Sequence, residues 1–388
     1  MNVEQIFALL PEGLLDELSV STDVDKYSKK LQGEVIFKLL LYSILSYKNN
    51  SLRTIKTSYE SIIFGLLCKD ISKKKIRHSS ISERLNVIDP LYFEKIYQAC
   101  IKIYSKELGE QMSDLTRFDS TIVSMSGHLL KTGYILEGSS SEKRTQVKFT
   151  IGFSELPTSV QLFTQSSYHN ENVALKEHIL SQKPGANTVY VFDRGLNARK
   201  TFMQFVEKNI PFITRIEPDC KHEICTANKL TELVSSGKLD IHTDDEVYLY
   251  AKGNKKTAKP LRRIIAVNRE TQEEIAFITN INTLTAEQIT ELYKRRWDIE
   301  VFFKFIKQEL NFSHLINRSE NGIKVMLYAT LIAAILLLVY KKKNNLTGYK
   351  IMKLEFMLEL EALLMKALVV ICGGEPKLFE KYFEKPPS

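Results

Sequence analysis

The chain has 388 residues, 44% hydrophobic and 26% charged, the composition of a soluble globular protein with a sizeable core and roughly two to three domains. Lys and Arg number 54 against 46 Asp and Glu, a net charge of +8 that leans toward a polyanionic partner. No internal repeat or disordered-type composition is visible, and five scattered cysteines argue against a disulfide framework and suit a reducing cytosol.

The N-terminus, MNVEQIFALLPEGLLDEL, has neither the basic start nor the small-residue cleavage site of a signal peptide, so a cytoplasmic location is expected. Residues 1–112 read as a helical domain, with apolar residues at helical spacing over Glu34 to Tyr47 and Leu91 to Tyr104. Between them, KKKIRHSSISERL carries Lys73, Lys74, Lys75, Arg77, His78 and Arg84. Ser80 and Glu83 there form a capping-box pattern opening a short helix. A basic helix entrance suits DNA reading; a solvated basic loop fits the same residues.

From residue 113 the period changes. Leu115 to Val123, Gln146 to Phe153, Ser159 to Gln165, Thr188 to Phe192 and Pro211 to Ile216 read as strands, with helices over Glu171 to Gln182 and Asn197 to Lys208. Strands that first run together and then alternate with helices predict an α/β fold, a mixed sheet with flanking helices, over residues 113–216. Residues 217–284 hold short strand-like runs and a lysine-rich turn, read as an inserted β subdomain. Within it Cys220, His222 and Cys225 lie close together, but no second ligand pair follows at zinc-finger spacing. Residues 285–388 read as mainly helical, opening with one long helix from the N-cap Thr285 to Leu310. The apolar run Val325 to Tyr340 falls short of the about 20 residues that span a bilayer. It is read as a buried core helix, with no membrane partner.

Three carboxylates sit where charge is expensive. Asp119 lies inside an apolar strand-like run, and Asp193 ends the run TVYVFD, at the strand end where open α/β sheets collect ligands. Taken singly, each also reads as an ordinary strand-end or turn residue. The third is Glu300. At about 100° per residue from Tyr293, the residues Arg296, Glu300, Lys304 and Lys307 all fall on one face about 80° wide. Phe302, Phe303, Phe305, Ile306 and Leu310 fill most of the remaining girth, so the helix is expected to be buried with its charged stripe lining a cleft or meeting water.

Tyr293, Arg296, Glu300 and Lys307 match the pattern Y-x2-R-x3-E-x6-K at every fixed position. This resembles the signature of bacterial insertion-sequence transposases of the DDE type, which have a ribonuclease H-like catalytic fold. Asp119 within F-D-S-T and Asp193 within D-R-G resemble that family's first and second acidic motifs, in order. The long stretch before Glu300 leaves room for the β domain such enzymes insert there. The similarity covers roughly residues 113 to 320 and is only general over the N-terminal helices.

The resemblance implies that Asp119, Asp193 and Glu300 converge on two Mg²⁺ ions, with Mn²⁺ as a substitute. One ion would activate a water or 3′-hydroxyl and the other would stabilise the leaving oxygen at phosphorus. It implies that Tyr293, Arg296 and Lys307 clamp double-stranded DNA, at transposon ends and target, with Lys304, Arg194 and Arg215 as weaker contacts. It further implies cut-and-paste transposition at the nucleoid by a synaptic homodimer. A hairpin step in that family uses an aromatic of the inserted domain stacked on a flipped base. Here the sole tryptophan, Trp297, lies in the signature segment instead, leaving Tyr248, Tyr250 or Phe277 as stand-ins or as sheet core. A ribonuclease H-like nuclease that does not transpose, and a transposase-derived DNA-binding protein that no longer cuts, are the rival readings.

Overall fold

The computed structural model describes residues 1–68, 75–126, 134–136, 144–228, 234–312 and 315–377. In chain order the helices α1 (Val3–Ala8), α2 (Leu14–Ser21), α3 (Gly33–Ser46), α4 (Leu52–Tyr59), α5 (Ile62–Leu67), α6 (His78–Val87) and α7 (Leu91–Leu108) come first. Then follow β1 (Leu115–Ser126), β2 (Tyr134–Leu136), β3 (Arg144–Ser154), β4 (Leu156–Phe163), α8 (Glu171–Ser181), β5 (Val189–Phe192), α9 (Arg199–Glu207) and β6 (Phe212–Ile216). The strands β7 (His222–Asn228), β8 (Val234–Ser236), β9 (Leu239–Leu249), β10 (Leu261–Asn268) and β11 (Glu274–Thr279) lead to α10 (Ala286–Lys294), α11 (Trp297–Glu309), α12 (Glu320–Lys343) and α13 (Tyr349–Ile371).

These elements form two compact units, one helical (Met1–Gln111, Ser126–Thr132 and Lys304–Ser388) and one α/β (Met112–Met125 and Gly133–Phe303). In the helical unit, α12 packs against α7, α3, α6 and α13. Every residue from Leu331 to Tyr340 is buried, as a helix apolar around its whole girth requires. Ser319 caps its start by accepting from the Gly322 N–H at 3.1 Å. At its far end the Tyr340 hydroxyl donates to Glu359 at 2.8 Å, and Lys343 pairs with Glu107 at 2.8 Å. The helix is long and apolar enough to cross a membrane, and its burial makes the run the expected core helix. Helix α6 begins at His78, not at Ser80, and its N-cap, Arg77, makes no side-chain cap bond. Lys75, Arg77 and His78 are exposed at its start. Arg84 instead turns inward, donating to the carbonyls of Leu31 (2.9 Å) and Val24 (2.5 Å). Lys73 and Lys74 lie outside the described residues.

The α/β unit is built on one mixed sheet, ordered β2-β3-β1-β5-β6-β11-β10-β9-β7, with β4 on β3 and β8 on β9. Parallel pairing joins β1 to β5 and β5 to β6 at its centre. Residues 217–284 are strand-rich, as expected, and their strands continue this same sheet, because β11 pairs antiparallel with β6. Alternation along the strands gives the sheet two apolar faces. Phe118, Tyr190, Phe192 and Phe212 point into one layer with α8 and α9 residues. Leu115, Val191, Ile213 and Phe277 point into the other, against Ala286, Ile289 and Tyr293 of α10.

The single long helix expected from Thr285 to Leu310 is two helices. Thr285 does cap α10, in a reciprocal box with Gln288. The chain then turns at Arg295 and Arg296 before α11 begins. Neither Gly nor Pro marks this break. The Arg295 carbonyl there accepts from the Asp298 N–H and from the Arg117 side chain.

Candidate functional site

The parallel register of β1 and β5 ends at Phe118 opposite Phe192, and Asp119 and Asp193 are the next residues on the two chains. Neighbouring strands lie about 4.8 Å apart, so the two acids stand side by side. Because side chains alternate, Asp119 continues the face of Leu115, and Asp193 continues the face of Val191. That is the face covered by α10 and Tyr293. Asp119 is half-buried, its Oδ1 accepting from the Ser120 N–H at 2.7 Å, and Asp193 is exposed.

Glu300, in the first turn of α11, is half-buried and held by Arg296, whose Nη2 donates to Oε1 at 2.5 Å. Burial disfavours the Arg296 charge, but the bond to Glu300 and the nearby Tyr293, Glu300 and Asp193 outweigh it and raise its pKa. Asp193 and Glu300 therefore act on the same guanidinium. Burial pushes the Tyr293 phenol up to about 12, with Arg296 and Arg215 opposing the shift. Tyr293 stays a neutral donor at any ordinary pH. Its ring stands edge-on to Phe277, centroids 5.3 Å apart.

Tyr293 and Arg296 border a cleft of about 340 Å³ together with Arg215, Phe277, Lys294 and Trp297. Arg215, on β6, pairs with Glu273 at 3.5 Å, and its Nε is buried without a hydrogen-bond partner. The cleft walls thus carry Arg215, Lys238, Lys294 and Arg296 against one carboxylate, Glu291. Trp297 is 60% exposed at its edge. Phe277 is sheet core, 2% exposed, whereas Tyr250 donates to Glu223 and Tyr248 lies under the Lys256 ammonium.

The remaining candidates are dispersed. Arg194 is exposed and paired with Glu217 at 3.1 Å. Lys304 and Lys307 are exposed on α11, one and two turns after Glu300, on the stretch that belongs to the helical unit. Among the described residues, no three His, Cys, Asp or Glu side chains stand close enough together to hold a metal ion. The donor chemistry nevertheless suits a hard cation, since carboxylate oxygens are what magnesium and manganese take.

Sequence reasoning passed over Arg117 and Asp298. Arg117, two residues before Asp119, has no exposed side-chain surface, yet it forms an ion pair with Asp298 at 2.8 Å. An arginine set inside the apolar run LTRFD was the available signal.

Comparison with known proteins agrees with this geometry. The chain is 29% identical over 162 residues to a Sinorhizobium fredii protein named as the transposase y4zB, covering 42% of this chain and 45% of that one. It is 27% identical over 213 residues to a Geobacillus stearothermophilus protein named as a transposase for insertion sequence element IS5377, covering 48% and 53%. It is 26% identical over 253 residues to a Synechocystis protein named as a transposase for insertion sequence element IS4SA, covering 62% and 65%. In each case the match spans less than two thirds of the relative's own length. The family model described as a transposase DDE domain matches residues 111–336, more than half of the chain, and the chain belongs to that family of bacterial insertion-sequence transposases.

Proposed function

We propose that this chain is a DNA transposase that cuts phosphodiester bonds at insertion-sequence ends and joins the freed 3′ ends to target DNA. One observation carries the reading. Asp119, inside β1, and Asp193, just past β5, stand where the parallel pairing of the two strands stops, on the face where Tyr293 packs, and Arg296 binds Glu300 within the field of Asp193. The mixed sheet with its parallel centre supports a ribonuclease H-like catalytic domain over residues 113–216 and 285 onward, with 217–284 as its β insertion.

Asp119, Asp193 and Glu300 are the residues to hold divalent ions, two Mg²⁺ or Mn²⁺, which supply Lewis-acid stabilisation of charge on phosphate oxygens. The protein's own part is positioning. Arg296 and Tyr293 present a cation and a neutral hydroxyl to a backbone phosphate, and Arg215 adds a second guanidinium to the cleft wall. Lys304, Lys307 and Arg194 extend the backbone contacts. The exposed Lys75 and Arg77 suit DNA binding by the N-terminal helices. A hairpin step would draw its stacking aromatic from Tyr248 or Tyr250. The substrate is double-stranded DNA at element ends and target, bound by a homodimer in the cytoplasm.

The test uses purified protein, end-containing DNA and Mg²⁺. Asp119→Ala, Asp193→Ala and Glu300→Ala are each expected to abolish cutting while leaving end binding intact. Near wild-type cutting by any one of them would show that the ligand assignment is wrong. End binding should fall steeply with salt, because phosphate contacts release counterions.

A further inference from the structure

The α/β unit holds an ion cluster around the buried Arg117 that the chemistry above does not use. Arg117 Nε donates to the Arg295 carbonyl at 2.8 Å, its Nη2 bonds Asp298 Oδ2 at 2.8 Å, and Glu155 lies 3.6 Å from the same nitrogen. Arg295 in turn bonds Glu155 at 2.7 Å. Glu155 sits between β3 and β4 with φ +63°, a left-handed conformation that a side chain adopts at a cost of about 1 kcal/mol or more. The Arg117 guanidinium also lies 5.8 Å from the Phe153 ring, which stacks on Phe302 of α11 at 4.6 Å.

A fully buried guanidinium is a poor way to gain stability. Desolvation costs several kcal/mol per ion, and an apolar residue of similar volume does as well or better. What the cluster gives is a fixed geometry. Arg117 touches α11 at two points, the carbonyl that precedes the helix and the Asp298 carboxylate in its first turn. Two points of a rigid planar fork fix both the rotation and the advance of a helix. The residues it joins are each two positions before a carboxylate: Arg117 before Asp119 on β1, and Asp298 before Glu300 on α11. On β1 that spacing keeps both side chains on one face. On α11 it puts Asp298 and Glu300 on opposite sides.

We propose that Arg117, through its paired contacts to Asp298 and the Arg295 carbonyl, is a positioning residue that sets the rotation of α11 and so fixes where Glu300 and its partner Arg296 stand against the sheet. The inference rests on the transposase reading for its purpose, and its test separates the two. Arg117→Lys keeps the charge and loses the fork. Asp298→Asn keeps the shape and loses the charge, at a side chain 49% exposed, with Glu155 left as the second carboxylate beside the Arg117 guanidinium.

The measurements are Mn²⁺ affinity by paramagnetic resonance without DNA, single-turnover cutting of end DNA, and melting temperature. Both variants should weaken Mn²⁺ binding by about tenfold, because a carboxylate on a helix free to rotate is no longer held in one place. Cutting should slow to a similar degree with end binding unchanged. A melting shift with Mn²⁺ affinity and cutting left at wild-type values would reduce the cluster to a structural pair and overturn the proposal. Wild-type protein that holds Mn²⁺ but cuts no end DNA would defeat the transposase reading alone, since the affinity comparison still decides the role of Arg117. Wild-type protein that holds no Mn²⁺ would sink both.

Discussion

Arg296 and Glu300 are joined by a 2.5 Å bond across the start of α11, and the same arginine feels the charge of Asp193 on the sheet. The pair is more than half buried, with side-chain exposures of 13% and 34%, and, as one i,i+4 ion pair whose carboxylate still meets water, it contributes about 1 kcal/mol or less directly to folding stability. Its value lies in fixing one carboxylate and one cation beside a second carboxylate. Arg296→Ala should therefore melt close to the wild type yet cut end DNA about a hundredfold more slowly, the effect of losing one preorganised charge donor. Arg296→Lys should not restore the rate, because the planar fork is lost. Single-turnover cutting alongside a thermal melt checks both.

Tyr293 separates packing from hydroxyl chemistry. Tyr293→Phe keeps the edge-on contact with Phe277 and should cost under about 1 kcal/mol, whereas Tyr293→Ala empties a core site and should cost about 3–5 kcal/mol. Its raised pKa makes a further difference. Above pH 10 the unfolded chain ionises this tyrosine while the folded one holds its proton up to about 12, so wild-type stability declines over that range. Urea denaturation at pH 9 and pH 11 should show wild type losing more than Tyr293→Phe.

His178 gives the acid counterpart. Its ring is buried, Nδ1 shares a 2.8 Å hydrogen bond with Thr150, Nε2 has no partner, and Phe118 stands edge-on at 5.3 Å. Burial drives its pKa down to about 3 from 6.5. A depressed folded-state value means that the unfolded chain takes up a proton first as pH falls below 6.5. Stability is then lost progressively toward pH 3, by about 2 kcal/mol at pH 5. His178→Leu should flatten this part of the stability curve between pH 7 and pH 5. An unchanged slope would mean that other groups govern acid unfolding.

The core helix α12 makes a direct stability prediction. Ile335→Ala, at a fully buried position, should cost about 2–5 kcal/mol. Leu358→Ser on α13, where the native side chain is 56% exposed, should change stability by about 0.5 kcal/mol or less. Equilibrium denaturation of the two variants gives the comparison. Equal losses would mean that the burial described for α12 is wrong.

Much of this was legible in the sequence, because the relevant signals are local. Strands β5 and β6 lie within one residue of the runs Thr188 to Phe192 and Pro211 to Ile216, α3 and α7 follow their helical spacing, and Thr285 caps as its side chain predicts. The Y-x2-R-x3-E-x6-K spacing singled out Tyr293, Arg296 and Glu300, and their hydroxyl, guanidinium and carboxylate do gather. What escaped depends on tertiary contacts. The break at Arg295 and Arg296 contains no helix breaker, and the freed carbonyl is met by Arg117 from a strand 178 residues away. A helical wheel drawn from Tyr293 assumes one straight helix, so its angles do not carry across that turn. Ser80 has the chemistry of a cap but lies inside α6, and the three-residue strands β2 and β8 are too short to show a period.

The antiparallel seam between β6 and β11 decides what kind of change the intervening segment can tolerate. Since strands from residues 217–284 are hydrogen-bonded in series onto β6, they melt with the central sheet as one cooperative block and not as an appendage. Trimming that stretch would bare the amide and carbonyl row of β6, an adhesive border that invites neighbouring chains to stack and precipitate. Loop exchange at its turns, such as the lysine-rich one between β9 and β10, leaves that border sealed and is the route open to redesign.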